Sequence, residues 1–212
     1  MKISNVEQGT PEWKALRLGI PTASDFDKLI TPTRKPREGE GRITYLLEKL
    51  AERALGYSQD ELKPQGSWAM DQGQIVEKIA RPWFEFTYDT KVQTVGFCTT
   101  DDGKIGCSPD GLIGEDGGIE IKSPQPGNHL KYLFAGNEVP RDYLAQVHGS
   151  MYVTGRKWWT FVSYSRQFPC LVVRVARDEA WIAALDTVLR SFVADLDSAT
   201  ARLKELTEKG CV

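Results

Sequence analysis

The chain has 212 residues, 41% of them apolar, with 27 basic against 29 acidic side chains and a formal charge of −2. This is enough apolar content for one substantial core, so a single domain over 1–212 is expected, and the charge balance excludes a uniformly basic nucleic-acid binder; a polyanion would have to be met by a local patch. The four cysteines form no C-x-x-C pair and the two histidines complete no zinc pattern, while an apolar run of roughly 18 residues and a leader-like N-terminus are both lacking, which points to the cytoplasm without membrane contact.

In chain order, Thr10-Pro11 opens a short helix, EWKALRL, with Thr10 as N-cap and Gly19 just past its end. Arg17 falls in the last turn, where complementing the helix dipole is its ordinary use. Ser24 followed by Asp27 resembles a capping box at a second helix start, a position that also suits phosphate binding through free amides. Residues 31–42, TPTRKPREGEGR, combine proline, glycine and charge, which predicts a mobile basic loop near the domain surface. A helix over 43–55 and a loop over 57–67 follow. Residues 68–86 have helical spacing and carry Glu77, with a kink or break expected at Pro82.

Residues 91–98 read as a strand, 123–140 as a polar connection, and 141–154 as a helix ended by Gly155 with Gln146 beside its apolar face. The aromatic and β-branched runs at 157–165 and 170–176 are the last strands. A long helix from Asp178 to about Lys209 carries one apolar stripe, read as core packing. The elements together predict a mixed sheet with helices around it.

The chemistry concentrates in residues 107–122, CSPDGLIGEDGGIEIK. Alternation along a strand puts Glu120 and Lys122 on one face, with Ile119 and Ile121 on the other. Asp116-Gly117 is a hairpin-turn signal between a strand through Asp110 and one through Glu120, so Asp110 should stand beside Glu120. Hard oxygen ligands beside a lysine are what phosphodiester hydrolysis needs: a divalent ion polarises the phosphate and lowers the pKa of bound water, and the lysine orients or deprotonates that water.

The ordered motifs EQGTPEWKALRLGIPTAS, the Glu77 helix, CSPDGL, GIEIKSP and YLAQVHGSMYVT resemble those of the lambda-type alkaline exonucleases, also called YqaJ-like viral recombinases, within the PD-(D/E)xK superfamily. The resemblance runs from about Glu7 to the final strand. It implies an α/β fold with a restriction-endonuclease-like PD-(D/E)xK core, a central mixed β-sheet flanked by helices. It also implies a Mg²⁺-dependent enzyme, with two ions and Mn²⁺ as a substitute, that degrades one strand of linear duplex DNA 5′ to 3′ and releases 5′-mononucleotides.

By the same resemblance, Asp110, Glu120, Glu77 and the Ile121 carbonyl hold metal, Lys122 is the catalytic lysine, and Gln146 supports the site. Arg17 and Ser24 match positions at the DNA end, where a guanidinium grips a 5′ phosphate. A ring-shaped homotrimer, processive digestion and a single-strand annealing recombinase as partner are implied too, for homologous recombination of phage or prophage DNA. Two departures stand out: Met70 occupies the place of an aliphatic wedge, and His148 that of a second glutamine. A PD-(D/E)xK endonuclease and a non-catalytic DNA-end-binding module are the alternatives.

Overall fold

The computed structural model describes residues 1–58 and 68–210; the side chains of residues 68–75 lie outside that description. The loop expected over 57–67 therefore falls almost wholly outside the described residues, as do Cys211 and the side chain of Met70.

Thr10 caps α1 (Pro11–Arg17) as expected, its side chain accepting from the Trp13 N–H. The capping box at Ser24 is not formed. Residues Ala23–Lys28 make a 3₁₀ helix whose cap position is Thr22, and Ser24 lies inside it. Beyond it the basic segment folds back on itself through an Ile30–Pro36 bridge, and Arg42 belongs to helix α2 (Glu40–Leu55) rather than to a loop. Arg34, Lys35 and Arg37 are all exposed; Arg34 pairs with Asp178 and the less exposed Arg42 with Asp195.

Helix α3 (Trp68–Tyr88) runs through Pro82 without a break. Proline removes one helical hydrogen bond, but Ala80 and Phe84 on the opposite side are buried among Ile119, Ile121 and Val162, and that burial holds the helix together.

Two sheets form. The first pairs β1 (Lys2–Ser4), β2 (Phe97–Thr99) and β3 (Gly106–Cys107), all antiparallel. The strand expected over 91–98 is thus reduced to its end, preceded by a single bridge from Gln93 to Leu112. The second is mixed: β4 (Gly111–Ile113), β5 (Gly117–Lys122), β6 (Trp158–Ser163) and β7 (Leu171–Ala176), with β5 and β6 parallel and the other neighbours antiparallel. The β4–β5 turn occupies residues 114–116, with Gly114 at φ 51°, one step earlier than the Asp-Gly signal suggested. The stretch expected to be a polar connection contains helix α4 (Pro126–Ala135), opened by Pro126 and anchored by buried His129, whose ring nitrogens bond Ser163 Oγ and the Pro169 carbonyl.

Helix α5 (Leu144–Thr154) ends at Gly155, which takes the left-handed φ of 70°. It lies tight against the 3₁₀ turn: a Cβ on Gly149 would sit 2.4 Å from the Phe26 ring, so only glycine permits that approach. Helix α6 (Glu179–Glu208), capped by Asp178, buries Trp181, Leu185, Leu189, Phe192 and Leu196 against α2 and α5, as its stripe predicted, but the burial stops there: Leu203 is only partly covered and Leu206 is exposed.

Candidate active site

The hairpin register places Gly111 opposite Ile119, which sets Asp110 beside Glu120 at the open end of β4 and β5. Ile119 and Ile121 are buried, and Glu120, though an acidic residue, is only 2% exposed. Its carboxylate lies on the face of the sheet covered by α5. There Gln146 Nε2 donates to Glu120 Oε1 at 2.6 Å, and Lys122 Nζ reaches the same oxygen at 2.6 Å. Asp110 Oδ2 accepts the Ile121 N–H at 2.5 Å. Glu77 enters from α3, paired with Arg81 one turn on. Lys122 also lies 5.6 Å from the Tyr143 ring centre.

Charge is crowded here. Burial, then the neighbouring Glu120 and Glu77, push the Asp110 carboxyl well above the usual range, and burial raises Glu77 against the pull of Arg81. Burial works to lower the Lys122 ammonium, yet Glu120 and Asp110 outweigh it and hold the lysine charged to higher pH. Glu120 Oε2 is buried without a hydrogen-bond partner. A solvent-excluded carboxylate oxygen left bare among three acids is unstable unless a cation approaches, and hard oxygens of this kind suit Mg²⁺ or Mn²⁺. The donor set therefore fits a divalent ion, although among the described residues no three acidic, histidine or cysteine side chains form a ready-made cluster. Each carboxylate is turned onto a protein donor instead.

A second constellation adjoins the first. Arg17 does not spend itself on the helix dipole: Nη1 donates to Ser108 Oγ at 2.8 Å, Nη2 to Thr22 Oγ1 at 3.2 Å, and the guanidinium packs 4.5 Å from the Trp13 ring centre. Ser24 Oγ is 3.2 Å from Thr22 Oγ1, so Arg17 and Ser24 meet through a threonine that sequence reasoning overlooked. Burial lowers the Arg17 pKa and Asp25 opposes it. Ser108 is two residues before Asp110, which joins the two constellations in one strand entry. Trp13, Ser108 and Gln8 were likewise not singled out; each sits in a motif quoted above, the only signal available. His148, by contrast, leaves the site. Its ring stacks on Trp181 at 4.9 Å, on the far side of α5 from Glu120.

An acid, an acid two positions before a lysine, and a supporting helix glutamate on a mixed sheet define a nuclease of the PD-(D/E)xK fold. The YqaJ-like viral recombinase domain matches residues 12–157. The chain belongs to that family. It is 32% identical to LHK-Exo, an alkaline exonuclease of Laribacter hongkongensis, over 94% of this chain and 99% of that one, with a TM-score of 0.83; the same enzyme in complex with dAMP matches equally well. A phage-related exonuclease of Haemophilus somnus 129PT shares the fold, with a TM-score of 0.62 at 15% identity over 87% of this chain and 96% of that one. No curated protein matches. The enzyme class read from the sequence, exonuclease, stands. Among the described residues no helix is long and apolar enough to cross a membrane.

Proposed function

We propose that the protein is a Mg²⁺-dependent 5′-to-3′ exonuclease of linear duplex DNA, which releases 5′-mononucleotides from one strand and leaves a 3′ overhang for recombination by single-strand annealing. The observation that carries this reading is the registered Asp110–Glu120 pair with Lys122 on its oxygen and a bare Oε2 beside it. The complex of LHK-Exo with dAMP is in keeping with a 5′-mononucleotide product.

Asp110, Glu120, Glu77 and the Ile121 carbonyl would hold two divalent ions, which when bound polarise the phosphate and lower the pKa of water. The protein's own part follows from its contacts. Gln146 and Lys122 fix Glu120 Oε1, so Oε2 is the oxygen left to face the ion. Lys122, held on Glu120 Oε1 and kept charged to higher pH by Glu120 and Asp110, would offer its remaining N–H donors to orient the water that attacks the phosphate. Arg17, with Ser24 beside it through Thr22, receives the terminal 5′ phosphate, its fork suited to a bidentate grip. A single domain, read from length and composition, and a cytoplasmic location, read from cysteine usage, complete the reading, together with a homotrimeric ring that encloses the duplex and an annealing recombinase as recipient of the overhang, both by family resemblance.

The test is digestion of three DNAs with Mg²⁺: linear duplex with 5′ phosphate, linear duplex without it, and closed circles, with a chelator control. Loss of one strand from phosphorylated ends, slower loss from unphosphorylated ends and intact circles are expected; Arg17→Ala should remove the phosphate preference. Cutting of circles would move the protein to the endonucleases, and no metal-dependent cutting would leave an end-binding module.

A further inference from the structure

We infer that Gln8 is a positioning residue for Asp110, holding the carboxylate site and the Arg17 pocket at one fixed spacing; this rests on the nuclease reading above. The Gln8 side-chain amide has two hydrogens and uses both across about a hundred residues of chain: Nε2 donates to the Val95 carbonyl at 3.0 Å and to the Pro109 carbonyl at 2.8 Å. Pro109 has no N–H, so its carbonyl is the only backbone hydrogen-bonding group it offers before Asp110.

Trp13 repeats the arrangement one residue earlier, its indole N–H shared between the Gly96 carbonyl at 3.0 Å and Ser108 Oγ at 3.1 Å. Two consecutive residues, Ser108 and Pro109, are thereby tied to the consecutive pair Val95 and Gly96 by side chains from one short segment. The tie matters because of what flanks it. Ser108 Oγ accepts from Arg17, and the next residue after Pro109 is Asp110, whose carboxylate is seated on the Ile121 N–H. A shift of the Pro109 peptide therefore moves a metal-binding oxygen and the arginine's partner together. Gln8 has no hydrogen bond to any carboxylate of the site, so it acts through Pro109 alone.

The measurement is Mn²⁺ binding without DNA, followed by electron paramagnetic resonance, in the wild-type protein, Gln8→Ala and Gln8→Glu. The second variant keeps the size of the side chain, loses the amide donor and covers the case in which alanine fails to fold. Outer-shell partners of metal ligands are worth about 10–100-fold in affinity, and a loss of at least about tenfold is expected in both variants. The ratio of cleavage rates on 5′-phosphorylated and unphosphorylated ends should narrow in parallel. Unchanged Mn²⁺ affinity in folded variants, with only a lower melting temperature, would overturn the inference and leave Gln8 a structural staple. Absence of Mn²⁺ binding by the wild-type protein would overturn the nuclease reading itself, and the inference with it.

Discussion

The β4–β5 hairpin carries buried charge at both ends, and the two ends are solved differently. At the turn, Arg156 is 8% exposed and its Nη1 is ringed by the carbonyls of Ile113, Gly114 and Gly117 at 3.3, 2.8 and 2.7 Å. At the open end, Asp110, Glu120 and Glu77 face Lys122 and Arg81, and one buried oxygen has no partner. One charge met by three fixed dipoles is a clasp, whereas three carboxylates against two cations are an arrangement waiting for positive charge. Arg156 Nε is also buried without a partner, so an unpaired atom alone does not tell the two ends apart; the excess of negative charge at the open end does, and it marks the chemistry.

That contrast can be broken by substitution at either end. Asp110→Asn should abolish Mg²⁺-dependent cutting, by at least about 10³-fold, without lowering the melting temperature, because it relieves carboxylate repulsion. Lys122→Ala should slow cutting by about 10²–10⁴-fold while end binding, measured by fluorescence anisotropy, persists. Gln146→Ala frees Glu120 and should cost about 10–100-fold in rate. Arg156→Met should do the reverse of Asp110→Asn: three carbonyls lose their donor, stability falls by about 3 kcal/mol and Tm by roughly 10 °C, and the rate measured well below Tm changes little. Loss of activity in a folded Arg156→Met protein would break the comparison.

The smallest effect concerns His148, which the two faces of α5 separate from Gln146. Burial against Trp181 lowers its pKa to about 4 from 6.5. The folded protein therefore binds fewer protons there than the unfolded chain, so the contribution of neutral His148 is fully present above pH about 6.5. It declines as pH falls toward 4, by at most about 3 kcal/mol. Urea unfolding at pH 7.5 and 5 should show that decline in the wild-type protein and a shallower one in His148→Gln.

Much of this was legible in the sequence, for reasons that differ by element. The open end of the hairpin was readable because strand alternation and a Gly-rich turn are local: nine residues between Asp110 and Glu120 leave few ways to pair them. The α6 stripe and the Thr10 cap were readable likewise. Helix α4 was missed because Pro126, Gly127 and Asn128 look like loop, and only buried His129 and the face behind it reveal a helix. Continuity through Pro82 depends on burial against β5, which no local signal reports. Arg17 and Ser24 were brought together only by the family resemblance; the linking Thr22 gave no signal of its own, and the staples from Gln8 and Trp13 span up to about a hundred residues, where side-chain partners leave no periodic trace.

The most direct measurement follows each strand of a linear 5′-phosphorylated duplex separately, with and without Mg²⁺, for the wild-type protein and Asp110→Asn. The account predicts that the wild type releases mononucleotides from the 5′ end of one strand only when Mg²⁺ is present, and that folded Asp110→Asn releases none. Cleavage without a divalent ion, or undiminished cleavage by Asp110→Asn, would contradict it.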